Sequence, residues 1–108
     1  MKKVNEMNGT EKIAWKNIKN IFNYDVGGWY NDLQDGNEEY IPDSIEVAKN
    51  LVYGDAMNDY SKYSGHYAVG RAPREMRFAG SEFIRECIDY LFQNDGDVEE
   101  IAEAKNWN

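Results

Sequence analysis

The chain is poor in the residues that usually carry catalysis or cross-linking. Its 108 residues contain one cysteine (Cys87), one histidine (His66) and two prolines (Pro42 and Pro73). A single cysteine excludes an internal disulfide framework. One histidine and one cysteine cannot fill the four positions of a zinc site without carboxylates from elsewhere. No apolar run approaches the 18 or so residues of a membrane helix. Residues 1–10 lack the charged-then-apolar pattern of a secretory leader, which predicts an intracellular protein. Gly27-Gly28 and the 65–70 stretch lack the Gly-x-x-x-x-Gly-Lys-Ser/Thr pattern of a phosphate loop. The acids between Asp35 and Glu46 do not have the spacing of a calcium-binding loop. No cofactor or metal is implied, and a non-enzymatic role is the favoured expectation. Basic residues are also scarce, 12 against 20 acidic, for a net charge of −8. That balance argues against a plain phosphate-binding surface.

What the chain does have is aromatic side chains and helical periodicity. Fifteen aromatics, including Trp15, Trp29 and Trp107, set it apart from disordered acidic sequences and point to a core that leans on Tyr and Trp. Ala14, Trp15, Ile18, Ile21 and Phe22 recur at helical spacing. They predict a first helix capped by Thr10, preceded by a flexible lead over residues 1–9, and ending near Asp25 because Gly27-Gly28 follows. The segment Gly27–Asp43 reads as loop-rich, with room for one short helical turn or two at Trp29, Tyr30 and Leu33 and a turn at Asp35-Gly36-Asn37. Asp43 or Ser44 is placed to cap a second helix. Its Ile45, Ala48, Val52, Tyr53, Ala56 and Tyr60 share one side and Val47 and Leu51 another, the pattern of a helix sandwiched between neighbours.

Tyr60–Arg71 reads as a connecting loop, and Pro73 suits the first turn of a third helix. Met76, Ala79, Gly80, Phe83, Ile84, Cys87, Ile88 and Leu91 form the cleanest apolar stripe. Either one helix runs over Ala72–Gln93, with Gly80 at a close backbone approach, or it breaks at Gly80-Ser81 with Ser81 as a cap. Phe78 and Phe92 project away from the stripe of an unbroken helix, covered by loops or free for a partner. Asp97 and Glu100 have capping-box spacing for a last helix bearing Val98, Ile101, Ala102 and Trp107. Residues 1–108 are thus expected to form one mainly α domain. The architecture is a small bundle of three to four helices with a loop-rich segment after the first.

The net charge conceals a segregated pattern. Residues 1–20 carry +3, residues 21–60 carry −8, residues 61–85 carry +3 and residues 86–108 carry −6. Asp32, Asp35, Glu38, Glu39 and Asp43 form a candidate acidic contact surface for a basic channel, with Trp29 and Tyr30 as aromatic anchors. The same acids also fit a merely solvating face. Arg71, Arg74, Arg77 and Arg85 form an alternative basic ridge, able to meet RNA or DNA or to pair with the chain's own Glu75, Glu82 and Asp89. Cys87, on the apolar stripe, reads as a core residue. His66, in a Gly/Tyr stretch, reads as structural or solvent-facing.

Two stretches carry a resemblance. Trp15-Lys16-Asn17-Ile18-Lys19-Asn20-Ile21-Phe22-Asn23-Tyr24-Asp25-Val26-Gly27-Gly28-Trp29-Tyr30-Asn31-Asp32-Leu33-Gln34-Asp35 resembles the opening of small proteins carried by phages and mobile elements. Arg77-Phe78-Ala79-Gly80-Ser81-Glu82-Phe83-Ile84-Arg85-Glu86 resembles a second block of the same family. The resemblance implies a mobile-element origin and the cytoplasm of a bacterial host. Small acidic proteins of that origin are similar in type to inhibitors of host defence, including anti-CRISPR proteins. The implied partner is then a host protein or ribonucleoprotein nuclease, reached through its basic channel or guide RNA. The other expectations are an RNA- or DNA-binding protein acting through Arg71–Arg85 and a structural adaptor of the element. None involves a membrane.

Overall fold

The computed structural model describes the backbone of residues 1–58 and 72–107, with their side chains except at 58 and 72–74. Five α-helices occur among these residues: α1 (Gly9–Asp35), α2 (Ile45–Asn58), α3 (Ala72–Ala79), α4 (Ser81–Gln93) and α5 (Gly96–Lys105). Short 3-10 turns lie at Val4–Glu6 and Glu38–Tyr40. The described residues contain no strand, so the mainly helical bundle expected from periodicity is what forms. No helix among them is long and apolar enough to cross a membrane. The expected Tyr60–Arg71 loop and His66 lie outside the described residues.

Helix α1 organises the rest. Its 27 residues span roughly 40 Å at 1.5 Å per residue, and it contacts all four other helices. Ala14, Trp15, Ile18, Ile21, Phe22 and Val26 are buried along one side. Facing them are Ala48, Val52 and Ala56 of α2, Met76 of α3, Phe83, Ile84, Cys87, Ile88 and Phe92 of α4, and Val98 and Ile101 of α5. Burying a side chain the size of Ile or Phe contributes about 1.5–3 kcal/mol. Asn17 is buried on α1 as well, and its Nδ2 donates to the Ile13 carbonyl at 2.9 Å. The described tyrosines sit at the margins instead of the centre: Tyr24, Tyr40 and Tyr90 are exposed, and Tyr30 and Tyr53 half-buried.

The ends of α1 differ from expectation. Asn8, not Thr10, is the N-cap: its side chain accepts from the Glu11 N–H, and the Glu11 carboxylate accepts from the Asn8 N–H at 3.0 Å. The stretch before it folds back through the 3-10 turn and buries Met7. At the other end the helix does not stop near Asp25 but runs through Gly27-Gly28 for two more turns. Helix propensity loses about 1 kcal/mol per glycine, but Val26 before the pair and Trp29, Tyr30 and Leu33 after it all pack on the core. Burial on both sides outweighs the local penalty. The helix ends instead at the expected Asp35-Gly36-Asn37 turn. Gly36 adopts the left-handed conformation (φ 78°), and the Asn37 N–H returns to the Asp32 carbonyl at 2.8 Å. The irregular segment after α1 is therefore short.

Ser44 caps α2, its Oγ accepting from the Val47 N–H at 3.1 Å. Among the described residues helix α2 is not sandwiched: its Ala48/Val52/Ala56 side meets the bundle, while Val47 and Leu51 are half exposed. The apolar stripe after Pro73 breaks at Gly80, whose φ of 90° and ψ of 148° no helix accommodates. Gly80, not Ser81, occupies the cap position, without a side-chain bond. A Cβ there would meet nothing within 4 Å among the described residues, so the glycine serves backbone conformation and not close packing. Phe92 is buried, its ring edge-on to Phe22 at 5.2 Å, while Phe78 is 69% exposed. Helix α5 starts two residues earlier than expected: Asp95, not Asp97, caps it by accepting from the Val98 N–H at 3.0 Å.

Replacing Gly80 by Ala should destabilise the protein by about 1–3 kcal/mol in urea unfolding, because that conformation is nearly exclusive to glycine. The Glu11 carboxyl is held below its ordinary 4.5, first by the Asn8 N–H and then by Lys2. A depressed carboxylate stabilises the fold above that value and loses the contribution as pH falls through its folded-state pKa. Glu11→Gln should therefore lower Tm at pH 7, and the gap from the unsubstituted protein should close as pH falls below 4.5.

Candidate functional site

The carboxylates singled out from sequence gather at the C-terminal end of α1. Asp32 and Asp35 lie in its last turns, Glu38 and Glu39 in the 3-10 turn that follows, and Asp43 just beyond Pro42. Asp35, Glu38, Glu39 and Asp43 are exposed and Asp32 is half-buried. Among the described residues none of the five forms an ion pair; the two pairs seen there are Lys2–Glu11 at 3.1 Å and Lys49–Asp89 at 3.2 Å. No basic residue occupies the last turn of α1. Carboxylates therefore meet the negative end of the helix dipole, an arrangement that repels and does not stabilise.

The fold adds a second set of acids that lay in another part of the sequence. Helix α5 packs beside the C-terminal half of α1, pinned by Trp107. Its Nε1 donates to the buried Pro42 carbonyl at 2.8 Å, and its ring meets Trp29 edge-on at 6.4 Å. Tyr30 lies beside Glu100, and that carboxylate, with Asp97 nearby, pushes the Tyr30 pKa up. Glu100 and Glu103 border a shallow hollow with Leu33 and Gln34. Lys105 spends its ammonium on the Glu38 carbonyl at 3.4 Å. Asp97, Glu100 and Glu103 of the second acidic stretch thus join the carboxylates of residues 32–43 in one acidic pole, while Asp89 pairs with Lys49 elsewhere. Trp29 and Tyr30, expected as partner anchors, are half-buried against α5, and Trp29 also lines an open groove along α1.

Beside this pole lies an open groove of about 650 Å³ along α1, lined by Asn20, Asn23, Tyr24, Asp25, Gly27, Gly28, Trp29, Asn31, Asp32 and Tyr40. Gly27 and Gly28 form its floor. A Cβ on either would meet nothing within 4 Å among the described residues, and neither has a positive φ. Tyr40 is 67% and Tyr24 45% exposed. Sequence reasoning missed the groove because it placed the glycines in a loop; continuing the helical wheel past Gly28 would have put Asn20, Asn23, Gly27, Asn31 and Tyr24 on neighbouring faces.

The basic ridge is not continuous. Arg71 and the Arg74 side chain lie outside the described residues, and Arg77 and Arg85 fall on different helices because of the break at Gly80. Arg85 stacks on the Tyr53 ring at 3.8 Å and donates to Asn50 at 3.3 Å. Among the described residues Asp89 pairs with Lys49 and not with an arginine. Cys87 is fully buried, which pushes its thiol up to about 12, far from the thiolate a nucleophile needs. No group of three or more His, Cys, Asp or Glu side chains among the described residues is arranged to hold a metal ion.

No family model, curated protein or solved structure matches this chain.

Because neither groove glycine is required by packing or by backbone conformation, Gly27→Ala and Gly28→Ala should each stabilise the protein by about 0.4–1 kcal/mol. Urea denaturation followed by circular dichroism measures this directly.

Proposed function

We propose that the protein is a non-enzymatic binding protein that docks its acidic pole on a basic, nucleic-acid-handling surface of a partner. In its most specific form it is a mobile-element inhibitor of a host nuclease, of the anti-CRISPR type. One observation carries the reading. Asp32, Asp35, Glu38, Glu39 and Asp43 lie unpaired among the described residues at the negative end of α1, and α5 adds Asp97, Glu100 and Glu103 beside them. Such a concentration of like charge weakens a small fold by self-repulsion, yet it suits competition for a channel that binds phosphates by charge and shape. Channels that hold a guide–target duplex are of this kind.

The pole acts as a substitute for a phosphate backbone: exposed carboxylates at irregular spacing on a rigid helix end, a 3-10 turn and a neighbouring helix. Complementary charge of this kind speeds encounter and makes association sensitive to salt. The apolar posts Trp29 and Trp107 hold the two acidic elements together, so the charges are presented in a fixed arrangement.

Charge reversal tests it. Asp35→Lys, Glu38→Lys and Glu39→Lys together should abolish capture of nucleases from a bacterial host lysate and any inhibition of their cleavage. Circular dichroism should be unchanged, since all three positions are exposed. Undiminished capture and inhibition would overturn the acidic-contact reading. Capture of structural proteins of a mobile element in place of nucleases would instead mark an adaptor.

A further inference from the structure

The groove on α1 asks for a more specific occupant than the pole alone. Its floor is two glycines that the fold does not need for packing. Its sides include the rings of Tyr24, Trp29 and Tyr40, and its polar lining holds carboxamides (Asn23, Asn31) and the carboxylate of Asp32. Asp32 is half-buried, so its charge is less screened than that of Asp35 or Glu38. Aromatic faces beside a carboxylate favour a flat cation: a guanidinium can stack on a ring while its fork bonds to carboxylate and amide oxygens. A lysine ammonium offers no plane to stack. The side chains missing at Gly27 and Gly28 are what leave depth for such a group against the helix backbone.

We propose that this groove receives an arginine side chain from a basic segment of the partner protein, and that it is the specificity element of the acidic pole. The inference rests on the acidic-pole reading above, because the pole attracts the basic segment and the groove selects its arginine. It explains why a stretch of helix that alanine would strengthen carries a glycine pair. It also assigns a role to Tyr40, which is 67% exposed where it lines the groove.

Fluorescence anisotropy of the full chain with labelled nine-residue polyarginine and polylysine peptides tests this at about 0.15 M salt, where loose surface pairing is screened. The unsubstituted protein should bind polyarginine at least fivefold more tightly than polylysine. Gly28→Leu, which fills the groove floor, and Tyr40→Ala, which removes an exposed wall, should each bring that ratio close to one while leaving Tm equal or higher. Glu38→Gln with Glu39→Gln, outside the groove, should weaken both peptides alike and preserve the ratio. A ratio near one in the unsubstituted protein, or one that persists in both groove variants, would overturn the arginine pocket and leave the acidic pole standing. Binding of neither peptide above a glycine–serine control would overturn both.

Discussion

The buried stripe of α1 is the constraint on which everything else rests. One helix of 27 residues supplies Ala14, Trp15, Ile18, Ile21, Phe22 and Val26 to a core that each of the other helices completes. Helices of 8–14 residues are marginal alone, and α2 to α5 fall in that range. They exist because α1 offers an apolar side long enough to receive them all. Losing the straight run of α1 would separate the α5 contact from the α2–α4 contacts.

That same length separates charge along one helix. The N-terminal part of α1 carries Lys12, Lys16 and Lys19, and Lys19 lies over the Trp15 ring at 5.2 Å. The C-terminal part carries Asp25, Asp32 and Asp35 and is joined by the acids of α5. On the proposed reading, opposite charges at the ends of this helix would orient the protein in the field of a charged partner before contact. Folding stability gains nothing from this arrangement at the C-terminal end, where the carboxylates oppose the helix dipole. The glycine pair in the groove shows the same conflict, a local weakness retained where the surface is open.

Much of the fold was legible in the chain. The stripes of α1, α2 and α4, the turn at Asp35-Gly36-Asn37, the Ser44 cap and the core position of Cys87 all follow from periodicity and turn chemistry, because those signals are local. The errors are equally local in origin. Gly27-Gly28 reads as a helix end when only propensity is weighed, but burial of Val26 and Leu33 on either side carries the helix through. Gly80 sits on an apolar stripe, and nothing in spacing alone separates a glycine inside a helix from one between two helices. Caps shifted by two residues, from Thr10 to Asn8 and from Asp97 to Asp95, because several capping-type residues lie in a row and the backbone selects one.

The candidate site divides along the same line. The sequence by itself determined the sign and the blocks of charge, the identity of the acids at residues 32–43, and the absence of a metal or nucleophile motif. Those are properties of composition and spacing. Only the tertiary structure decided that the acids of α5 join them, that Trp29 and Tyr30 are half-buried against α5, that Arg77 and Arg85 fall on different helices, and that a glycine-floored groove opens beside Asp32. The first two depend on contacts between residues more than 50 positions apart, such as Trp107 with Pro42 and with Trp29, whereas the last two follow from the backbone break at Gly80 and from α1 running through Gly27-Gly28. Such pairings are set by which surfaces can be buried together, and no local pattern encodes them.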